Sequence, residues 1–179
     1  MGGRRNHLTI VLALLLLLPL AAAEAEVITF DHNGRQAGFE LIQQSAQGVE
    51  LTFRLEQVRL EDVEVEGTLY QQVSIPGVFL PVQAGAPNLP AFGRMVALPN
   101  GALAHLEVIG TKREKIKGID VLPSAPIPLE TDTSPPVYAP DPAIYGRDAY
   151  WPERIVQLSE RQEMRGVQAV ILGISPFQY

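Results

Sequence analysis

Apolar and polar residues alternate along most of the chain in short stretches, which proline and glycine interrupt at intervals of about ten residues. From Glu50 onward, Leu51, Phe53 and Leu55 point one way and Thr52, Arg54 and Glu56 the other, the period of a half-buried strand. The alternation slips at Gln57 and resumes with Val63 and Val65 opposed by Glu64 and Glu66, which predicts a bulge or tight turn near Glu61-Asp62. Glu64 and Glu66 then read as a solvated strand face, not as paired catalytic carboxylates. Upstream, the apolar run Val27 to Phe30 closes on Asp31-His32-Asn33-Gly34, where Asn-Gly tolerates positive φ and predicts a hairpin turn. Arg94 to Leu98 predicts a strand stopped by Pro99-Asn100-Gly101. Leu103 to Gly110 predicts another, with Leu106 and Val108 alternating against His105 and Glu107. Near the end, Ile155 to Leu158 reads as a short strand and Ser159 to Met164 as a polar turn. Val167 to Ile174 is the most β-like run of all, followed by Ser175-Pro176-Phe177-Gln178-Tyr179.

Helix has little room here. Ile75-Pro76-Gly77 and Gly85-Ala86-Pro87-Asn88-Leu89-Pro90 bar a long helix between Val73 and Pro99, because each proline removes a donor and crowds the preceding turn. Seven prolines fall between Pro123 and Pro142, so that stretch is expected to be extended, polyproline-like, and draped over the surface or exposed as a linker. No helical period lasts three turns and no internal repeat is visible. The expected fold is an all-β antiparallel sandwich, jelly-roll-like or barrel-like, with proline-rich loops.

The first residues stand apart from this pattern. Arg4 and Arg5 precede an apolar run from Leu8 to Leu20 that ends in Ala21-Ala22-Ala23, the order of a secretory signal peptide, whose small residues allow cleavage after Ala23 or, as preferred, after Ala25. The expected domains are therefore residues 1–25 as signal peptide and 26–179 as one β-domain. Of the 14 basic and 20 acidic residues, 12 and 19 lie in 26–179, giving that part a net charge of −7. Without a dense basic stripe, this balance argues against nucleic-acid binding. No later apolar run reaches the roughly 20 residues of a spanning helix, so no stable membrane insertion is expected after cleavage. The chain has no cysteine, which removes disulfides, thiolate metal sites and a cysteine nucleophile.

The remaining inventory for chemistry is thin. His7 belongs to the leader, His32 to a turn and His105 to the polar side of a predicted strand, and no G-x-S-x-G elbow occurs. Asp31-His32-Asn33-Gly34 superficially resembles the start of a calcium loop, but Ile42 stands where the closing glutamate belongs. Asp132, Asp141 and Asp148 flank the proline tract and could contribute to calcium binding, but acidic residues in an exposed linker need no such explanation, and neither metal nor cofactor is expected. Lys112-Arg113-Glu114-Lys115 with Lys117 is the only concentration of positive charge: a solvated loop, or a contact for an acidic partner surface. Tyr138, Tyr145, Tyr150 and Trp151 read as packed anchors, with sugar stacking as the alternative.

Gly85-Ala86-Pro87-Asn88-Leu89-Pro90 followed by Val96-Ala97-Leu98-Pro99, and the closing Tyr150-Trp151-Pro152, Arg165-Gly166 and Val170 to Tyr179, resemble the propeptide of gingipain-type cysteine peptidases. The resemblance runs from about Val73 to Tyr179. It implies an N-terminal β-sandwich prodomain of a secreted, periplasmic or cell-surface peptidase precursor. Such a prodomain assists folding and covers the cleft of its own caspase-like catalytic domain, without catalysis in this chain. It also implies that a basic side chain enters the peptidase's specificity pocket, for which Arg94, Lys115 and Arg147 are the candidates. The alternative is a freestanding exported β-sandwich that binds a surface glycan or protein through Tyr145, Tyr150 and Trp151. Because the family pattern continues past Gln178-Tyr179, the domain is expected to be incomplete at its C-terminus. Val167 to Ile174, apolar on both faces, should then be covered on both sides, next to an unpaired edge and a dangling tail that promote self-association.

Overall fold

Where each alternating stretch finds a partner decides the architecture. The computed structural model describes residues 25–78 and 80–179; the expected signal peptide lies outside them except for Ala25. In chain order the strands are β1 (Glu26–Thr29), β2 (Gly38–Ser45), β3 (Gly48–Arg54), β4 (Gln57–Val65), β5 (Thr68–Ser74) and β6 (Phe92–Leu98). One helical turn, α1 (Pro142–Tyr145), separates these from β7 (Val156–Leu158), β8 (Gln162–Met164) and β9 (Val167–Ile174). They form three antiparallel sheets: β1-β4-β5, the ribbon β2-β3, and a four-stranded sheet in which β9 pairs with β6 on one side and with β7 and β8 on the other. The all-β antiparallel class read from the alternation is the class observed.

The core lies against the three-stranded sheet. Val58 and Leu60 of β4, Val73 of β5, Leu89 and Val121 are buried together, with Ile28, Phe30, Phe177 and Tyr179 packed on them. Each such aliphatic side chain contributes about 1.5–3 kcal/mol when fully withdrawn from water. Leu60 and Val73 face each other across the β4–β5 ladder, which is why the alternation there needs one apolar face.

Several local expectations are corrected. The ladder from Arg59↔Ser74 to Val65↔Thr68 runs without interruption, so there is no bulge at Glu61-Asp62. What changes is the covered face: Val58 and Leu60 point into the core, whereas Val63 and Val65 lie on the other side, where the hairpin extends beyond it. The bulge sits in β2 instead, between Leu41 and Gln43. Asn33-Gly34 does turn with both φ positive, at 54° and 76°, but β1 and β2 do not pair, so it is no hairpin. Two-residue turns close three hairpins, Ala46-Gln47, Glu66-Gly67 and Arg165-Gly166, the last two with φ positive at both positions. The last of these converts part of the predicted polar segment, Gln162–Met164, into β8.

Two larger corrections concern the proline tract and the tail. Residues 121–124 are buried, not linker: Gly85 and Asn88 donate to the carbonyls of Ser124 and Leu122, and Ser124 donates back to Ala86. The tract's far end docks as well, with the Asp141 amide on the Gly85 carbonyl at 2.8 Å. Of the tract itself only Pro123 and Ser124 are buried; residues 126–137 are exposed, as expected of a segment draped over the surface. The tail does not dangle either. Trp151 and Tyr179 exchange backbone hydrogen bonds of 2.8 Å in both directions, and Ser175 donates to Ile155. β9 has strands on both edges, and Ala169, Val170 and Leu172 are buried, so its two-sided cover is present while the unpaired edge beside it is not. Finally, Leu103 to Gly110 pairs with no strand among the described residues, so the predicted strand is not formed there.

Candidate functional site

The inner faces of the sheets line a wide cleft of about 1990 Å³. Val96, Leu98, Val170 and Leu172 of the four-stranded sheet face Leu51 and Phe53 of the ribbon across it. At one end the layers touch: Phe53, which packs on its ribbon partner Phe39 at 5.1 Å, meets Phe92 of β6 at 4.7 Å between ring centroids. Residues 102–116 run along the cleft with the basic cluster at their far end. Neither β2 nor the cleft was legible in the sequence. GFELIQQS has two adjacent glutamines where an alternating strand needs an apolar residue, and a cleft between layers has no linear signature.

The three candidate basic residues occupy different settings. Arg94 projects from β6 with its guanidinium 5.3 Å from the Phe39 ring centroid, a cation–π arrangement that holds it in place. Lys115 is exposed at the cleft, on a stretch without backbone hydrogen bonds. Nearby Lys112 is paired with Glu114 at 3.2 Å. Arg147 is exposed just beyond α1, and its amide donates to the Ile144 carbonyl. Among the described residues, neither Lys115 nor Arg147 has a carboxylate partner. Only Lys115 of the three lines the cleft.

A cluster of tyrosines anchors the platform that carries Arg147. Asp141 caps α1 by accepting from the Ala143 amide at 2.8 Å. The Tyr145 hydroxyl donates to the Val121 carbonyl at 2.7 Å, and its ring lies 5.1 Å from that of Tyr179. Tyr179 in turn donates to Asp120 at 2.9 Å. Burial pushes the Tyr145 phenol far above its ordinary range. The Tyr179 phenol is pushed up to about 12, by burial first and then by the Asp120 carboxylate that accepts its proton. Tyr145 and Trp151 are thus anchors, and Tyr150, 67% exposed, stands apart from them. These rings do not form the contiguous exposed face that glycan stacking needs.

The remaining polar residues serve local structure. His32 Nε2 lies 2.6 Å from the Leu55 carbonyl, tying the first turn to the end of β3. Asp31 accepts from the Asn33 amide, and Asp132 accepts from Ser134, which holds its carboxyl below the usual range. His105 is exposed on the unpaired stretch. Among the described residues, no three His, Asp or Glu side chains come together as a metal site.

Comparison with known proteins gives the family. The model Propeptide_C25 matches residues 31–179, and the chain belongs to that family. The match extends the similarity upstream of Val73 to nearly all of the described strands. Lys-gingipain HG66 of Porphyromonas gingivalis is 30% identical over 135 residues, covering 72% of this chain and 8% of that protein. Gingipain R2 of the same organism is 25% identical over 151 residues, covering 82% of this chain and 20% of that protein. The chain therefore spans a small part of these relatives. Among solved structures, one described as showing the zymogenic latency of gingipain K from P. gingivalis matches with a TM-score of 0.72 and 25% identity. That match covers 87% of this chain and 88% of that one. A complex of the RgpB pro- and mature domains from P. gingivalis matches in fold with a TM-score of 0.73 at 22% identity, covering 82% and 75%.

Proposed function

We propose that residues 26–179 are the prodomain of an exported gingipain-type cysteine peptidase, which holds its own catalytic domain latent and assists its folding. The observation that carries this reading is the family match over residues 31–179, in a fold shared with a structure described by its zymogenic latency. The chain itself performs no catalysis on this reading; its work is contact. Residues 1–25 act as the export signal and take the precursor out of the cytoplasm.

The inhibitory contact falls to a basic side chain that can reach away from the domain. Arg147 is exposed on the hydrogen-bonded turn just beyond α1 and Lys115 on a stretch without backbone hydrogen bonds; among the described residues neither pairs with a carboxylate, so either can extend into a cleft. Arg94 suits the role less well, because entering a pocket would pull its guanidinium off Phe39. The test is titration of the purified prodomain into the catalytic domain of its own precursor, with Lys115→Ala, Arg147→Ala and Arg94→Ala side by side. Losing a buried charged contact costs about 2–5 kcal/mol, so one of the first two variants should weaken inhibition more than about 30-fold. Full-strength inhibition by all three variants would refute the assignment of the contact. No inhibition by the unaltered prodomain would refute the function itself.

A further inference from the structure

Residues 103–119 and the exposed part of the proline tract are the long stretches that lie outside the sheets. Over the 17 residues 103–119 no backbone group hydrogen-bonds to another among the described residues, although both ends are pinned. At one end the Ala102 amide donates to the Pro99 carbonyl at 3.0 Å; at the other, Asp120 and Gln71 are joined through backbone and side chain. Large apolar side chains stand in water here, with Leu103 88% and Ile109 79% exposed. An isolated exposed leucine needs no explanation, but a strand-like alternation without a ladder does. Just before the turn, β6 pairs with β9 on one edge and with nothing on the other among the described residues.

The turn already made fixes how these two unpaired backbones would meet. Placing Pro99 opposite Ala102 and continuing antiparallel sets Leu98 opposite Leu103, Val96 opposite His105, and Met95 opposite Leu106. It also sets Arg94 opposite Glu107 and Phe92 opposite Ile109. This register joins apolar to apolar at three positions and opposite charges at a fourth, the pairs that stabilise a ladder. A slip of one residue in either direction puts Arg94 opposite Leu106 or Val108 and removes the charge match, so the sequence selects one register. Leu103 and Ile109 would then lie on the cleft side of β6, with Val96 and Leu98.

We propose that residues 103–109 are a strap with two states: the open one described above, and a closed one in which they pair along the free edge of β6 and cover that side of the cleft. The closed state shields the edge, which otherwise invites association. The strap also sets the position of the loop that follows it. If the prodomain reading above holds, closing the strap fixes where Lys115 is presented to the peptidase.

The absence of native cysteine makes a clean test available in the full chain. In the proposed register Val96 and His105 form a non-hydrogen-bonded pair, with Cα atoms about 4.5 Å apart, close enough for a disulfide. The double variant Val96→Cys/His105→Cys should oxidise to an intramolecular disulfide, whereas Val96→Cys/Ile109→Cys, four residues out of register, should not. In the unaltered chain, the amides of 103–109 that face β6 should exchange on the order of 10-fold or more slowly than in a free peptide. Equal oxidation of the two double variants overturns the proposal, and so do amides that exchange at free-peptide rates. Neither readout involves a peptidase, so failure here leaves the prodomain reading intact, and failure of the inhibition titration leaves the strap intact.

Discussion

Tyr145 joins the short helix to the core through one hydroxyl, which donates to the Val121 carbonyl at 2.7 Å from a half-buried ring. Removing that hydroxyl leaves a carbonyl short of a partner, so Tyr145→Phe should cost about 1 kcal/mol in denaturant unfolding. The same burial ties the tyrosines to pH. Neutral phenol is favoured in the folded chain, where the Tyr145 proton is held well above its ordinary value of 10.0 and that of Tyr179 up to about 12. Above the ordinary value the unfolded chain binds fewer protons than the native one, so stability is full below pH about 10 and falls as pH rises beyond it. Thermal melts should show this alkaline decline, and Tyr145→Phe should make it shallower. A decline of the same slope in that variant would assign it to other groups.

At the scale of elements, Gly85 shows how the proline tract is fastened. Its φ is +79°, and a Cβ there would meet the Ala139 carbonyl oxygen and Asp141 at 3.2 Å. Its amide donates to Ser124 and its carbonyl accepts from Asp141, so one residue clamps both ends of the tract. Gly85→Ala should therefore destabilise by about 1–3 kcal/mol, combining left-handed strain with a tight contact against backbone. Gly118, also at positive φ but with open space around it, should lose less on the same change. Differential scanning calorimetry of the two variants reads the contact directly. The strands obey the same division between local and distant causes. β3 and β7 were visible because they alternate, and β6 and β9 because they are short apolar runs bounded by proline or glycine. β2 and β8 were not, because their polar sequences form strands only when a partner supplies the ladder.

Across the whole molecule, the closing residues lock the layers together. Phe177 and Tyr179 pack on the cluster of Val58, Leu60 and Val73, while the Tyr179 backbone pairs with Trp151. Phe177→Ala should cost about 3 kcal/mol as the lost ring leaves a cavity at the centre of this contact. The expected readout is a shift in the denaturant midpoint with an unchanged slope. An unchanged midpoint would mean that the tail does not belong to the cooperative unit.

Sequence by itself determined the all-β class, the positions of most strands and turns, the exclusion of cysteine chemistry and the resemblance to a propeptide family. These are properties of local pattern: a period of two, a proline that cannot donate, a glycine that accepts positive φ. Tertiary structure decided which turns are hairpins, which end of the proline tract enters the core, and whether the end of the chain is loose. It also separated Lys115 and Arg147, exposed and without carboxylate partners among the described residues, from Arg94, held against Phe39. Each of those outcomes depends on a partner distant in sequence: Gly85 for Ser124, Trp151 for Tyr179, Gln71 for Asp120. Burial and pairing between distant segments leave no periodic trace along the chain, so only the folded arrangement could reveal them.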